Sequence, residues 1–321
     1  MNKLTPIRRR GSSEHTTCPL SLQRSGVRVS RLTPYFENVQ SHYDLSNDFF
    51  ELFLDESRTY SCAYFEQDDY SLAQAQRAKV DLSLSKCDLE PGMRLLDVGC
   101  GWGATMLRAI EKHDVHVTGL TLSNNQRDYV EGLLADNPKA WGSEVRLQGW
   151  EEFNEPVDRI VSIGAFEHFR YERHAEFFRR CRQILPPDGR MMLHTIVINE
   201  RDVIRANGGK LDRAFFEFGR FIAKEIFPGG ELPTPNRVVT MAEASGFTVD
   251  RIQALGPHYA RTLDLWAANL LARRDDAIRI ASEATYDTYI KYLTGCADLF
   301  RGGYIDVMQF SLANRESVDD M

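Results

Sequence analysis

One short segment constrains the fold more than any other: Leu95-Leu96-Asp97-Val98-Gly99-Cys100-Gly101-Trp102-Gly103. Arg94 to Val98 is an apolar run of strand length, and it leads directly into three glycines, which are followed by a helix-forming run from Ala104 to Lys112. Glycines at such a junction let the backbone turn tightly and let a ligand approach the main chain. The segment therefore reads as the opening βα unit of a doubly wound sheet. Further strands are expected at Val115 to Leu120, Glu144 to Gln148, Arg159 to Ile163 and Arg190 to Thr195, with helices at Asn124 to Leu134 and His174 to Leu185. Phe247 to Gln253 and Val307 to Leu312 complete a mostly parallel, seven-stranded α/β sheet with helices on both faces. Pro186 to Gly189 is the turn that ends one helix and starts the next strand.

The flanking text organises around that sheet. Residues 1–32 are rich in Arg, Ser and Thr and read as a basic, disordered tail, with an anionic lipid surface or an acidic carrier as its possible contacts. A cap is expected over residues 33–90, where Tyr35 to Lys86 reads as helical and crowds Tyr43, Phe49, Phe50, Phe53, Tyr60, Tyr64 and Phe65 together. A helical insertion or lid is expected over about 198–230, with Phe215, Phe216, Phe218, Phe221, Ile222 and Phe227 as an apolar wall or as plain core. One domain over 33–312 and a tail over 313–321 follow. A net charge of -7 with 26% charged residues gives no nucleic-acid footprint. The six cysteines show no CxxC pair, which suggests reduced thiols in the cytoplasm and no metal site. Neither a membrane-spanning run nor a signal peptide is expected.

The turn reads GxGxG rather than the dinucleotide GxGxxG, and Asp97 lies just inside the strand before it. That form resembles the first motif of class I S-adenosylmethionine-dependent methyltransferases, with their Rossmann-like fold. S-adenosylmethionine has no pyrophosphate to cradle; it needs a groove for its aminocarboxypropyl arm and ribose. The second strand runs into Thr121-Leu122-Ser123 with no carboxylate at its end, so Thr121 and Gln126 are the polar candidates for the ribose hydroxyls. Trp150 and Glu151, after the third strand, are candidates for the adenine wall.

Stretches such as HYDLSNDFF, TYSCAYFE, LLDVGCGWGATM, GLTLSNNQ, GAFEHF, PHYARTLDLWAANL and KYLTGCADLFR resemble the cyclopropane fatty-acid synthases, in particular the mycolic acid cyclopropane synthases and methyltransferases. The similarity runs from about Pro34 to Leu312. It implies that Tyr60, Ser61, Leu95, Asp97, Gly99, Cys100, Gly101, Trp102, Gly103, Thr121, Leu122, Gln126, Trp150, Glu151 and Ile163 surround S-adenosylmethionine. It also implies a bicarbonate or carbonate ion near Cys62, Glu167, His194 and Tyr259, and it marks Cys296 as the family's active-site cysteine. On local sequence alone His194 and Tyr259 read as core and Cys296 as a buried inert thiol.

The implied reaction is cyclopropanation of a cis double bond in a long acyl chain, a mycolic acid precursor presented on acyl carrier protein. Relatives that form a hydroxylated branch typically carry Glu where this chain has Gly164, so Gly164 points to ring closure. The alternatives are a methyl-branch or hydroxymethyl-forming mycolic acid methyltransferase, or a small-molecule N- or O-methyltransferase.

Overall fold

The computed structural model describes Pro34 and residues 47–314. The basic tail over 1–32, Tyr43 and the rest of 35–46, and residues 315–321 lie outside the described residues. The strands are β1 (Arg94–Val98), β2 (His116–Thr121), β3 (Glu144–Leu147), β4 (Arg159–Ile163), β5 (Arg190–Ile198), β6 (Phe247–Ala254) and β7 (Ile305–Asn314). They form one sheet in the order β3-β2-β1-β4-β5-β7-β6. The first five strands pair in parallel, and β7 runs antiparallel between β5 and β6. A bulge interrupts the β6–β7 register between Val249 and Arg251. β7 continues past the expected Leu312 because Asn314 is anchored: its amide donates to the carbonyls of Leu185 (3.0 Å) and Pro186 (2.7 Å).

Strand order reverses between β1 and β4, since the chain passes outward from β1 through β2 to β3 and then returns to β4 on the other side. Connections leaving such a switch point part to opposite faces and open a crevice at the carboxyl ends of the strands. The glycine turn sits there. Gly99 adopts φ +81°, and its amide and that of Cys100 both reach the Leu120 carbonyl, at 3.0 and 2.9 Å. A Cβ at Gly99 would collide with the Cβ of Ala165, so position 99 is closed both by conformation and by space. Helices α1 (Asn47–Glu51), α2 (Leu72–Leu84), α3 (Ala104–His113), α4 (Asn124–Ala135) and α5 (Tyr171–Ile184) precede β5 in the chain.

The cap differs from the helical run expected over Tyr35 to Lys86. Within its described part only α1 and α2 are helical, and Leu52 to Ser71 is a strap of turns and irregular chain. The reason is local polar competition with the helix: the Asp55 carboxylate accepts from the amides of Ser57 (3.0 Å) and Thr59 (3.3 Å). Farther along, α2 side chains take over the strap's carbonyls. Gln76 Nε2 donates to those of Thr59 (3.2 Å) and Ser61 (2.8 Å). The aromatic crowding is real, and it is packing: Phe49, Phe50 and Phe53 are fully buried against Trp266 and Tyr289, with Phe49 and Tyr289 edge to face at 4.9 Å.

The expected insertion is broken by Gly208 (φ +80°) into α6 (Arg201–Ala206) and α7 (Arg213–Phe221), and a π-helical turn over Ile222–Ile226 follows. No side chain of α7 is fully buried. Phe218 nonetheless lies so close to Gly295 that a Cβ there would overlap its ring. After α8 (Pro235–Ala244), the chain inserts α9 (Gly256–Ala272), α10 (Arg274–Ile280) and α11 (Glu283–Arg301) between β6 and β7. These helices carry Tyr259, Tyr292 and Cys296. Among the described residues no helix is long and apolar enough to cross a membrane.

Gly99→Ala should lower unfolding free energy by about 1–3 kcal/mol through left-handed strain alone, with more lost to the Ala165 collision. Denaturant melts of the two proteins measure the difference; an unchanged midpoint would contradict this account of the turn.

Candidate active site

Two adjoining cavities open at the carboxyl ends of the parallel strands. The first is a groove of about 140 Å³ beside the glycine turn. Tyr60, Ser61, Asp97, Gly99, Cys100, Gly101, Trp102, Thr121, Leu122, Gln126, Trp150, Glu151 and Ile163 all line it. Two of the expected residues do not. Leu95 shares a face of β1 with Asp97, but it lies deeper, in the apolar cluster with Val80, Leu84 and Val117. Gly103, at φ +84°, precedes α3 and faces Val130, so it shapes the turn from behind.

Polar groups in the groove are pre-oriented. Thr121 Oγ1 donates to Gln126 Oε1 at 2.7 Å, which commits the amide oxygen and leaves the amide nitrogen to face a ligand. Glu151 is held by Arg173 in a buried ion pair at 2.6 Å, and the Trp150 ring packs tilted against Phe169 and edge to face against Phe177. Among the described residues the buried Asp97 has one carboxylate oxygen without a partner, and burial pushes its carboxyl up to about 7 against the pull of Lys79. Lys79 is itself buried, donates to Ser61 Oγ at 2.9 Å, and is pushed down by burial to about 8.

The second cavity, about 360 Å³, is walled by Ile196, Phe218, Ile222, Leu263, Phe300 and other apolar side chains. Tyr60, Ser61, Gly164 and His168 line both cavities, so the two communicate. Glu167, His194, Tyr259, Cys62 and Cys296 all line the second. Glu167 Oε1 accepts the Ile196 amide at 2.6 Å while Oε2 is buried without a partner among the described residues, and burial pushes the carboxyl up to about 7. His194 Nδ1 lies 3.2 Å from Gln309 Nε2, and its Nε2 is buried and unpartnered among the described residues. Burial holds the imidazole well below its usual range, so it is neutral. Burial likewise raises the Tyr259 phenol. The Cys62 thiol donates to the Ala63 carbonyl, and burial raises it too. Cys296 is pushed up to about 12, which leaves its thiol protonated and unsuited to nucleophilic attack at neutral pH.

Several groups escaped the sequence reading. Lys79 looks like one more lysine in an amphipathic helix, and Arg173 and Gln309 like solvated polar positions. His168 had a signal, because it directly follows Glu167; burial pushes it to about 4, so it is neutral. Tyr292, whose hydroxyl is 3.2 Å from that of Tyr60, reads as ordinary helix packing.

A Rossmann-like sheet with a groove at its switch point, an acidic β1 and a glycine turn open to a ligand define a class I S-adenosylmethionine-dependent methyltransferase. Residues 30–310 match the mycolic acid cyclopropane synthetase family, and the chain belongs to it. Cyclopropane mycolic acid synthase 1 of Mycobacterium tuberculosis is 58% identical over 280 residues, spanning 87% of this chain and 98% of that protein. Among solved structures, the cyclopropane synthase MmaA2 from the same organism superposes with a TM-score of 0.87 at 58% identity, covering 88% of this chain and 99% of that one. Mycolic acid cyclopropane synthase CmaA1 complexed with SAH and CTAB gives 0.85 at 57% identity, with 88% and 99% covered.

Ionising Asp97 or Glu167 costs more in the folded chain than in the unfolded one, where a carboxyl titrates near about 4. Each therefore subtracts stability as pH climbs from about 4 to the folded value of about 7. Asp97→Asn and Glu167→Gln remove that penalty, so both variants should gain stability relative to the parent between pH 5 and pH 8. Denaturant unfolding at the two pH values checks this, and a pH-independent difference would contradict it.

Proposed function

We propose that the enzyme adds a methylene across a cis double bond of a long acyl chain, a mycolic acid precursor carried on acyl carrier protein. The observation that carries this reading is the junction of the two cavities. A groove suited to S-adenosylmethionine opens through Gly164 into a larger apolar cavity where Glu167 Oε2 and His194 Nε2 are buried and unpartnered. A polar methyl acceptor would have little use for such walls. The relatives named as cyclopropane mycolic acid synthases support the same substrate class.

S-adenosylmethionine supplies an electrophilic methyl on a sulfonium. An alkene is a feeble nucleophile, so the chain's first task is alignment in a dry site, where proximity contributes several kcal/mol. Methyl transfer leaves a carbocation on the acyl chain. The rings of Tyr259, Tyr292 and Phe300 face the same cavity and can stabilise positive charge through their π faces. Gly164, at φ +68°, presents no side chain where the cavities meet, which keeps a water-binding group away from the cation.

Ring closure then requires loss of a proton from the newly attached methyl. The unpartnered atoms of Glu167 and His194, with the Tyr259 phenol, fit a small anion that also carries an O–H: the imidazole and phenol donate, and the carboxylate accepts. Bicarbonate held there would supply the base. Glu167, balanced near neutrality, can hold a proton at Oε2 and release it again.

Incubation with S-adenosylmethionine and a cis-unsaturated acyl carrier protein should yield a lipid heavier by one methylene, with the upfield ring protons of a cyclopropane in its NMR spectrum. Glu167→Gln should keep cofactor affinity and lose about 10²–10⁴-fold in turnover. Product without ring protons, or a variant with parental turnover, would overturn the assignment.

A further inference from the structure

We infer that Gln309, backed by Lys86, is a positioning residue that holds His194 in the tautomer presenting an N–H to the cavity. The sheet places these groups in a row. His194 on β5 pairs with Gln309 on β7, and Gln309 pairs in turn with Gln253 on β6, so the three side chains stand abreast on adjacent strands. Lys86, just past the end of α2, closes the row: its ammonium donates to Gln309 Oε1 and, at 2.8 Å, to Gln253 Oε1.

The direction of every hydrogen bond in this row follows from groups that can act in only one way. An ammonium has donors and no acceptor, so Gln309 must turn its oxygen toward Lys86 and its NH₂ away. That NH₂ reaches two atoms, Ser83 Oγ at 3.0 Å and His194 Nδ1 at 3.2 Å. Ser83 is a compliant acceptor because its hydroxyl donates onward to the Lys79 carbonyl at 2.8 Å. Nδ1 therefore accepts, and in a neutral ring the proton then sits on Nε2, the nitrogen with no partner among the described residues. Gln309 is fully buried, so water does not compete for its amide.

The geometry thus converts a histidine that could serve as donor or acceptor into a dedicated donor. The use of that N–H for an anion rests on the proposed function above; the tautomer does not. Bare imidazole in a cavity could otherwise turn its acceptor nitrogen toward the ligand, which would repel an anion instead of binding it.

Nitrogen NMR of protein labelled at its histidine rings tests the inference directly, with His194 identified by the signals that a His194→Asn variant lacks. Nε2 should be protonated and Nδ1 bare in the parent protein. Gln309→Glu should move the proton to Nδ1, shift the pH profile of turnover, and cost about 10- to 100-fold in turnover with cofactor affinity unchanged. Should that variant fail to fold, Lys86→Met frees the amide to flip, and both tautomers should appear. A parent His194 protonated at Nδ1, or nitrogen signals unmoved in the folded variants, would overturn the inference. The expected tautomer in an enzyme that never cyclopropanates would instead remove the proposed function and leave this inference standing.

Discussion

The strap from Thr59 to Cys62 is held by side chains of α2, and the site depends on that hold. Gln76 and Lys79, one helical turn apart on α2, reach across to two of its carbonyls and the Ser61 hydroxyl. From the other side Thr262 accepts the Ala63 amide at 3.1 Å. Pinned in this way, Tyr60 and Ser61 form a partition with the groove beside the glycine turn on one side and the apolar cavity on the other. Unpinned, the strap would leave buried carbonyls unsatisfied at about 1–3 kcal/mol each, and the two chambers would merge.

Dryness governs the electrostatics on both sides of that partition. Asp97 and Glu167 are pushed up to about 7 and Lys79 down to about 8, all chiefly by burial. These groups stand close to ionisation balance at neutral pH, where a proton can be gained or lost at small cost. Cys62 and Cys296, shifted by the same burial, are driven out of useful range and remain small wall residues. One physical cause separates the groups that can exchange protons from those that cannot.

The sheet was legible because its signals are local. β1, β4, β5 and β7 are largely apolar runs bounded by turns or helices, and the glycine motif marks which strand comes first. Much of the candidate groove is legible for the same reason, since Asp97 and Thr121 sit at or near the ends of β1 and β2, with Gln126 in the first turn of α4 and Trp150 just after β3. The strap reads as helix because its aromatic density resembles an amphipathic helix, while the Asp55–Thr59 turn chemistry that competes with one is quieter. The motif credits Leu95 to the groove, and it does share a face of β1 with Asp97, but its place two residues deeper in the strand puts it in the apolar cluster with Val80 and Leu84. Lys79, Arg173 and Gln309 carried no signal at all. A buried polar side chain looks like an exposed one until the partner across the fold is known.

The bulge in β6 gains meaning in this light. Had β6 and β7 continued in the step that pairs Val249 with Leu312, Ile252 would stand opposite Gln309 and offer hydrocarbon to the Lys86 ammonium. The extra residue, Asp250, advances the strand by one position, and Gln253 arrives there instead. An apparent irregularity at the sheet's margin is thus a spacer that sets the phase of its side chains, and the chemistry two strands away is tuned by the count of residues between them.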